Sequence, residues 1–523
     1  MKKNFLLVAV SLMTALSAFA EKSTVSSPDG KLNVVVEDQD GKLYYSVDYA
    51  GTRMMEPSLL GLLANVGDFS QGLTFQKKSE ATVDKSYDLR TAKASHVDYH
   101  ANQLNVTYLN GKKEPMTVTF NVSNNDVAFR YTFDGLKAQH IIINEEKTAF
   151  NLPKISTSFL SPQSNPLIGF ARTKPSYEED YKPDAPLTAK SGYGRGYTFP
   201  CLFKVGGEGW VLVSETGTHG NYPGCHISDY DANKGYQIAF PMKEEGDGIG
   251  SNNAVFSLPG STPWRTITVG KDLKPLVETT IPYDVVEPRY EASQKYGVGK
   301  YAWSWLIWQD ASCNYNDQKQ FIDLAATMGY EYVLVDALWD TQIGRDKIAE
   351  LSRYAQGKGV SLMLWYNSNG ITNDAPQGPR NCMDNIVARK KEMAWMKSIG
   401  VKGIKVDFFG SDKQQTMQNY EDILSDANDY GIQVIFHGCT LPRGWERMYP
   451  NFISSEAVLA SENVFFSDYH AKQEGFELTM HPFCRNAVAS MDWGGTIMNK
   501  YLSRDNKSRH RRYTTDVFEM ASA

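Results

Sequence analysis

Short stretches of alternating apolar and polar residues occupy the first half of the chain. Examples are KLNVVVED, KLYYSVDY, QLNVTYL, MTVTFNV and DVAFRYTF, and DG, NG, GG and PG pairs separate such stretches. A period of two is typical of strands with one buried face, and these pairs favour turns. The DG at 40–41 and the NG at 110–111 are predicted to close β-hairpins. Residues 21–275 are therefore predicted to form an antiparallel all-β domain, a sandwich or super-sandwich.

The pattern changes after a proline-bearing linker at 276–298. From 299 onward, apolar strand-like runs alternate with helical ones at intervals of roughly 25–35 residues; the strand-like runs are YAWSWLIW, YVLVDALW, SLMLWYN, GIKVDFF and IQVIFHG. This βαβα order predicts parallel strands and, for 299–523, a (β/α)8 TIM-type barrel. A doubly wound open sheet is the alternative. That fold normally has a Gly-rich phosphate turn after its first strand, and WSWLIWQDASC contains none.

Each end of the chain adds an expectation. Lys2 and Lys3 precede an apolar run at 5–19 and a small-x-small site at 18–20, so residues 1–20 are predicted to be a signal peptide. The run is too short to span a membrane. We expect an exported protein, periplasmic in a Gram-negative source. At the other end, RRYTTDVFEMASA stops inside a predicted helix. The barrel is therefore expected to be truncated at its C-terminal end, with barely room for its eighth strand.

Composition narrows the classes of partner. A chain of 523 residues is too long for one hydrophobic core, so two or three domains are expected. The formal net charge is −6. An acidic surface argues against nucleic acid as a partner. The six cysteines show no short metal-ligand spacing. We expect a monomer that binds a sugar substrate and does not insert into a membrane.

Polar side chains recur where the predicted strands end. They are Asp310 after the first strand, Asp336 and Trp339 after the second, Asn367 and Asn369 after the third, Asp407 after the fourth, His437 after the fifth and Glu456 after the sixth. Barrel active sites form at the carboxyl ends of the strands. For any one of these residues a helix cap remains an alternative interpretation.

Asp407 has the most informative neighbours. Lys405 occupies the alternate position of the same strand, so both side chains point the same way, and the ammonium is expected to hold the carboxylate ionised. Glu456 and Glu462 follow in ISSEAVLASEN. Two carboxyl groups at one rim are what glycoside hydrolysis requires, one to protonate the leaving oxygen and one to attack or to activate water. A noncatalytic sugar-binding protein and a metal-dependent isomerase or lyase are the alternatives from other classes.

Several segments together resemble glycoside hydrolase family 97. They are KVDFFGSDKQ, FHGCTLPRGWERMYPNFISSEAVLASE, HPFCRNAVASMDW and TTDVFEMA, preceded by an all-β domain and a signal peptide. The resemblance implies an exo-acting bacterial enzyme of carbohydrate metabolism that removes α-linked sugars and depends on calcium. Family members carry a further β domain after the barrel, which this sequence does not reach.

The resemblance also implies a mechanism. Inverting members have a base Glu directly after the His that ends the fifth strand, whereas Gly438 follows His437 here. Asp407 occupies the position of the nucleophile of retaining members, with Glu462 as acid/base and Glu456 as its rival. Retention predicts carboxyl groups about 5–5.5 Å apart. Retaining members resemble α-galactosidases, so an exo-α-galactosidase is predicted, with α-glucosidase as the alternative.

The remaining site residues follow from the same resemblance. Calcium is expected to bind Glu456 and Glu462 together with Glu178 of the YEEDY segment, which is preferred to Glu179. Lys405, His437 and Asp336 are expected to contact sugar hydroxyls. Trp308 is the chosen stacking face, and the other candidates are Trp303, Trp305, Trp339 and Trp365.

Overall fold

The computed structural model of the protein describes residues 22–368 and 372–522. The predicted signal peptide, 1–20, and Asn369 lie outside the described residues. Among the described residues, no helix is both long and apolar enough to cross a membrane.

Strands dominate the chain as far as Gly270. They are β1 Lys22–Ser26, β2 Leu32–Gln39, β3 Lys42–Tyr49, β4 Thr52–Leu60, β5 Leu62–Ala64, β6 Gly67–Asp68, β7 Thr74–Asp88, β8 His96–Leu109, β9 Pro115–Val122, β10 Asp126–Phe133, β11 His140–Glu146, β12 Ala149–Phe150, β13 Ser156–Leu160, β14 Lys182–Pro186, β15 Cys201–Val205, β16 Gly209–Thr216, β17 His226–Ile227, β18 Tyr236–Ala239, β19 Ala254–Ser257, β20 Gly260–Ser261 and β21 Trp264–Gly270.

These strands pair in antiparallel sheets, which confirms the predicted all-β character. The largest sheet has the order β14-β13-β15-β16-β21-β10-β9-β8-β7, with β20 on β10. The DG turn joins β2 to β3, with Asp40 at φ 53° and Gly41 at φ 77°, as a tight hairpin turn requires. The NG pair begins the loop between the paired strands β8 and β9. Both predicted hairpins are present.

The second part of the chain alternates strands and helices. Its strands are β22 Tyr301–Trp303, β23 Tyr332–Val335, β24 Ser361–Asn367, β25 Gly403–Asp407, β26 Gln433–Phe436 and β27 Phe452–Ser455. The helices are α1 Lys274–Glu278, α2 Ile281–Asp284, α3 Trp305–Trp308, α4 Tyr315–Met328, α5 Trp339–Gln342, α6 Arg345–Gln356, α7 Ile386–Ile399, α8 Gln414–Tyr430, α9 Trp445–Met448, α10 Asn463–Phe466, α11 Asp468–Met480, α12 Arg485–Val488 and α13 Asp516–Ser522. Short 3₁₀ turns lie at Phe170–Arg172, Gly246–Gly248, Asp310–Ser312 and His481–Phe483.

Strands β22 to β27 form one sheet in which each pairs in parallel with the next in sequence. This confirms the βαβα interpretation for the described residues. Beyond β27, Met491 makes a parallel bridge to Ser455, so the chain returns to the same edge once more. The six-stranded sheet is half-barrel in character, and its closure into an eight-stranded barrel stays a prediction.

Successive side chains along the parallel strands point alternately to the two faces of the sheet, and each face packs into a different core cluster. Leu334, Met363 and Ile435 belong to a core cluster on one face of the sheet, whereas their neighbours along the strands pack into the cluster shared with the surrounding helices. Because Lys405 is paired in register with Ile435, Lys405 and Asp407 lie on the first face. The face that carries the chemistry is therefore the inner one.

A buried ionic network joins the two parts of the chain. Arg265 of β21 forms ion pairs with Glu146 and Glu215, and Glu215 also accepts a hydrogen bond of 2.5 Å from Arg443 Nε of the second part. All four side chains are almost completely inaccessible to solvent. Charges removed from water in this way require close partners, so the network specifies how the β domain docks.

Candidate active site

A cavity of about 430 Å³ opens at the carboxyl ends of the parallel strands. Both parts of the chain line it. The β domain contributes Phe170, Thr173, Lys174 and Glu178; the strand ends and following loops contribute Trp305, Gln309, Asp310, Asp336, Ala337, Trp365, Gln377, Lys405, Asp407, Phe408, Gly438, Glu456, Glu462, Asn463 and Phe466. Six of the eight residues predicted for the catalytic, substrate and metal sites are in this lining: Glu178, Asp336, Lys405, Asp407, Glu456 and Glu462.

Lys405 lies at the centre of the inner face. Its Nζ is 3.2 Å from Asp336 Oδ2 and 3.6 Å from Asp407 Oδ2. Its ammonium also lies 4.4 Å from the ring centroid of Trp303. The predicted pairing of Lys405 with Asp407 on one face is therefore present, and Asp336 from the second strand shares the same cation.

Asp407 is 7% exposed, and hydrogen bonds hold both its oxygens. Trp365 Nε1 donates to Oδ2 at 3.0 Å, and the backbone N–H of Phe408 donates to Oδ1 at 2.9 Å. Burial raises the pKa of Asp407, and the positive charges of Lys405 and His437 oppose that rise. The carboxylate is thus fixed in orientation and faces the cavity.

Gly438 lies next to this carboxylate, two residues beyond the end of the neighbouring strand β26. A Cβ at position 438 would lie 2.7 Å from Asp407 Oδ1 and 2.9 Å from the Phe408 nitrogen, and the backbone has φ +46°. A side chain at 438 and a carboxylate at 407 in this position exclude each other sterically. The presence of Asp407 and the absence of a side chain at Gly438 therefore have one steric cause.

His437 connects two acids below the cavity. Its Nδ1 is 3.4 Å from Glu456 Oε1, and its Nε2 is 3.0 Å from Asp492 Oδ2. Burial lowers the pKa of His437, but the charges of Glu456 and Asp492 outweigh burial and raise that pKa well above its usual value. Tyr301 donates to the same Asp492. His437 is 2% exposed, so it supports Glu456 from beneath the cavity.

Three glutamates converge on one side of the cavity. Ligand atoms of His437, Glu456 and Glu462 all lie within 4.8 Å of one another. Burial and then the charge of Glu456 raise the pKa of Glu178 to about 7, and the same two causes raise the pKa of Glu462 well above its usual value. The three carboxylates therefore repel one another across a shared space.

This donor set fits a hard divalent cation. Glu456 Oε1 is buried in an ion pair of 3.4 Å with His437 Nδ1, whereas Oε2 accepts a hydrogen bond of 2.9 Å from the Gly438 N–H. Calcium binds carboxylate oxygens, often from several segments, and would neutralise the mutual repulsion. Glu178, Glu456 and Glu462 are the residues that would hold it.

The β-domain segment that carries Glu178 is fastened to the second part of the chain. Tyr177 has φ 66°, donates to Asp412 Oδ2 at 2.6 Å and accepts a hydrogen bond of 3.1 Å from Arg443. This unusual backbone turns Glu178 into the cavity. Glu179 instead pairs with Lys174 at 3.1 Å and with Tyr193 at 2.9 Å. The structure thus distinguishes the two glutamates of YEEDY.

Trp308 does not line the cavity. The strand predicted for YAWSWLIW ends at Trp303, and α3 turns Trp308 towards Phe321, at a ring distance of 5.1 Å, and towards Arg504. Trp305 and Trp365 are the tryptophans of the described lining. His437 also lies behind the lining, in contact with Glu456.

Asp492 and Tyr177 are neighbours of the candidate site to which the sequence assigned no role, and the steric role of Gly438 beside Asp407 was likewise not predicted. Asp492 follows Met491, whose bridge to β27 repeats the rule of a polar residue at a strand end. That rule, applied to HPFCRNAVASMDW, would have found it. For Tyr177 the sequence carries no such signal, because its importance depends on contacts with Asp412 and Arg443, more than 230 residues away.

Comparisons with known proteins agree with this geometry. The chain matches the family model Glycosyl-hydrolase 97 N-terminal over residues 25–288 and the model Glycoside hydrolase 97 over residues 296–458. A probable retaining alpha-galactosidase of Streptomyces bingchenggensis (strain BCW-1) is 27% identical over 93% of this chain and 72% of its own length. A retaining alpha-galactosidase of Bacteroides thetaiotaomicron is 27% identical over 94% and 75%.

Two solved structures of glycosidases are similar to this chain over most of its length. A beta-arabinopyranosidase is 53% identical, with a TM-score of 0.94, over 96% of this chain and 80% of that chain. A family 97 enzyme from Pseudoalteromonas sp. strain K8, in complex with panose, shares the fold at 18% identity, with a TM-score of 0.75 over 92% and 75%. The two models together cover most of the chain. The protein therefore belongs to glycoside hydrolase family 97, a family of glycosidases.

Proposed function

We propose that this protein is an exo-acting, retaining glycosidase that removes a terminal galacto-configured pyranose. The single observation that supports retention best is the contact between Asp407 and the bare backbone of Gly438. A carboxylate occupies the end of the fourth strand, and its neighbour has no side chain to act as a base. The reaction then needs a covalent glycosyl-enzyme rather than direct attack by water.

Asp407 is the proposed nucleophile. Its Oδ attacks the anomeric carbon as the bond to the leaving oxygen breaks, and Glu462 gives its proton to that oxygen. In the second step Glu462 takes a proton from water, whose oxygen displaces Asp407 from the anomeric carbon. Burial and the charge of Glu456 raise the pKa of Glu462 in the cation-free protein, and a cation bound at the same carboxylate would oppose this rise.

Lys405 and Asp336 are proposed to bind sugar hydroxyls. They share an ion pair of 3.2 Å within the cavity lining, and such a pair offers both a donor and an acceptor to a vicinal diol. His437 acts one layer further out by holding Glu456 in place. Trp305 and Trp365 take the stacking role that the sequence assigned to Trp308.

Calcium is the proposed cofactor, held by Glu178, Glu456 and Glu462. When bound, it neutralises these carboxylates and offers coordination to sugar hydroxyls. Glu462 would then act both as a ligand of the ion and as the proton donor. Because Glu178 comes from the β domain, a bound ion would also link that domain to the second part of the chain.

Two substrates share the required ring geometry. An α-D-galactopyranoside and a β-L-arabinopyranoside have the same configuration from the anomeric carbon to C4, and arabinose lacks the hydroxymethyl group on C5. The 27% identical relatives support the α-galactosidase predicted from the sequence, whereas the 53% identical relative is a beta-arabinopyranosidase. We give the arabinopyranoside precedence on identity, with the α-galactoside as the second candidate.

The test is a panel of p-nitrophenyl glycosides: β-L-arabinopyranoside, α-D-galactopyranoside and α-D-glucopyranoside. We expect the highest kcat/KM on the first and a lower value on the second. NMR of the first-formed sugar should show the anomer of the substrate. The opposite anomer would exclude retention, and activity on the glucoside alone would exclude the galacto-configured substrate.

Export is part of the proposal. A signal peptide at 1–20 would deliver the enzyme to the periplasm of a Gram-negative source. Fractionation of cells that express the full chain, with N-terminal sequencing of the product, tests this: a cytoplasmic protein that retains Met1 would contradict it.

A further inference from the structure

A second, polar cavity lies in the β domain, away from the active site. We call it the β-domain cleft; it has a volume of about 550 Å³, within the range of small-molecule sites. Its floor is one face of strands β7 to β10, and its walls are residues 217–221, 261–264 and 285–289 with Met448. Among the described residues, none lines both this cleft and the active-site cavity.

The floor is polar because of strand register. Asn105 on β8 is opposite Thr119 on β9, which is opposite Arg130 on β10. Gln103, two residues before Asn105, is opposite Asn121. Since side chains alternate along a strand, all five point to the same face, and this face would normally pack against apolar partners or water.

Hydrogen bonds order these side chains into a chain of amides. Thr119 Oγ1 donates to Asn105 Oδ1 at 2.7 Å, Asn105 Nδ2 donates to Gln103 Oε1 at 3.0 Å, and Gln103 Nε2 donates to Asn121 Oδ1 at 2.9 Å. Every amide oxygen is thereby used as an acceptor. Each amide nitrogen carries two N–H groups, so the floor retains donors in fixed positions for a ligand.

Unsatisfied polar atoms occur on two different segments that line the cleft, β10 and the loop after β16. Arg130 Nε and Asn221 Oδ1 are both buried and have no hydrogen-bond partner among the described residues. The Arg130 guanidinium lies 4.3 Å from the ring centroid of Trp264, which fixes its plane. A buried donor and a buried acceptor without partners are costly, and a ligand with hydroxyl groups would satisfy both once these two partly exposed side chains turn towards it.

Charges around the cleft are mostly paired. Lys85 lies 2.5 Å from Glu287, and Arg289 and His219 both contact Glu421, at 2.9 and 3.3 Å. An anion would therefore meet the Arg130 guanidinium together with the carboxylates of Asp134 and Glu287, in a setting of neutral amides and hydroxyls. Donors and acceptors that alternate over a mostly neutral surface suit a polyhydroxylated, uncharged ligand.

We propose that the β-domain cleft is a second saccharide-binding site, which holds a neutral glycan chain apart from the catalytic cavity. The amide floor would bind vicinal hydroxyls, and Arg130 and Asn221 would contact the ligand from their two segments. This inference does not depend on which sugar the active site hydrolyses. It predicts that the enzyme retains polymeric substrate by a contact that small aryl glycosides never use.

The test uses the full chain carrying Asp407→Gly, to prevent turnover, and calorimetric titration with neutral oligosaccharides of galactose, arabinose, glucose, mannose and xylose. Tetragalacturonic acid and inorganic phosphate are the charged probes. Arg130→Gln and Asn221→Ala are added separately; Asn221→Ala removes no hydrogen bond to Oδ1 from a described residue, so its fold is expected to persist. Each should weaken binding of at least one neutral oligosaccharide about fivefold or more.

Arg53→Gln is the matched control, because Arg53 pairs with Asp48 at 2.9 Å in β4, away from the cleft lining. It should leave the affinity unchanged. In the otherwise native enzyme, the two cleft variants should keep kcat/KM on aryl glycosides and lose it on polymer. The proposal is overturned if no neutral oligosaccharide binds, if binding is equal in all three variants, or if only the charged probes bind.

Discussion

At the scale of single residues, Asp407 and Gly438 lie against each other where two neighbouring strands end. The Asp407 carboxylate occupies the volume that a side chain at 438 would need, and Trp365 and the Phe408 N–H hold it there. A carboxylate side chain at position 438 could therefore replace the one at position 407 only if both residues changed. Lys405, 3.6 Å away, supplies the charge that opposes the effect of burial on Asp407.

Replacing Asp407 tests its role as nucleophile directly. Asp407→Gly should lower kcat by about a thousandfold or more, because the covalent intermediate has lost its carboxylate. Sodium azide should restore turnover and give a glycosyl azide of inverted configuration, detected by NMR. The exposed Asp346 of α6 serves as control, and Asp346→Asn should behave as the native enzyme. No rescue by azide would argue for another nucleophile.

Gly438→Ala tests the shared volume. A Cβ 2.7 Å from Asp407 Oδ1, at a φ of +46°, must displace the carboxylate. We expect kcat/KM to fall by about 10–100-fold, since a small displacement of a reacting group is costly. Gly51→Ala, at φ +82° with open space around its Cβ, controls for backbone strain alone. Equal losses of activity in both variants would count against the steric explanation.

A carboxyl group outside the active site gives a prediction for pH. Burial, and then the charge of Asp180, raise the pKa of Glu477 on α11 to about 8. Between its usual value of 4.5 and 8 the folded state keeps a proton that the unfolded state has released, so this group's contribution to stability falls as pH rises through that window.

Glu477→Gln removes that penalty. The variant should melt at a higher temperature than the native protein at pH 8, and at nearly the same temperature at pH 4.5, measured by calorimetry. Glu350→Gln on the exposed side of α6 is the control for loss of a carboxylate. A gain at pH 4.5 equal to the gain at pH 8 would contradict the assigned titration.

At the scale of elements, the short helix α10 links the proposed acid to an exposed aromatic ring. Glu462 is the residue before Asn463–Phe466, and Phe466 lies four positions later, on the same side. Phe466 is 56% exposed, lines the cavity and lies 6.1 Å from the Trp305 ring. If Glu462 is the proton donor to the leaving oxygen, as proposed, this aromatic pair would lie on the side where the leaving group departs.

Phe466→Ala should discriminate between leaving groups. We expect kcat/KM on an aryl glycoside or disaccharide to fall about fivefold or more, and on the corresponding glycosyl fluoride to stay nearly constant, because fluoride is too small to reach the rings. Phe476→Ala on α11 is the control, since Phe476 is 37% exposed but absent from the described lining. A similar loss on fluoride and aryl glycoside would mean that Phe466 acts through Glu462 or the fold.

At the scale of the whole molecule, the active site is assembled from two parts of the chain. Glu178 lines the same cavity as Glu456 and Glu462. The residue before it, Tyr177, is held by hydrogen bonds with Asp412 and Arg443. The ionic network of Arg265, Glu215 and Arg443 fixes the same docking. A cation between the glutamates would thus contribute both to catalysis and to the attachment of the β domain.

Chelation should therefore affect stability as well as activity. Removal of calcium with EGTA is expected to abolish most turnover and lower the melting temperature, and added calcium should restore both, because a ligand bound only to the folded state stabilises it. Glu178→Gln should reduce the calcium-dependent shift in melting temperature. An unchanged melting temperature after chelation would contradict a cation that bridges the two domains.

The sequence by itself determined the features that depend on local order. Period-two alternation predicted the antiparallel strands, and the DG and NG pairs predicted the hairpins at 40–41 and 110–111. The βαβα rhythm predicted the parallel strands of an eight-stranded barrel, of which six form the observed sheet. Alternation also placed Lys405 and Asp407 on one face. These predictions succeed because a strand's hydrogen bonding assigns alternate side chains to opposite faces wherever the strand lies in the fold.

Only the tertiary structure decided which distant groups meet. It placed Glu178 in the cavity lining and paired Glu179 with Lys174, attached His437 to Asp492, and turned Trp308 towards Phe321 while Trp305 faced the cavity. Each outcome depends on a local change of backbone direction, such as the end of β22 at Trp303 or the φ of 66° at Tyr177. Such turns are stabilised by contacts with residues far along the chain, and a pattern of neighbours does not encode those contacts.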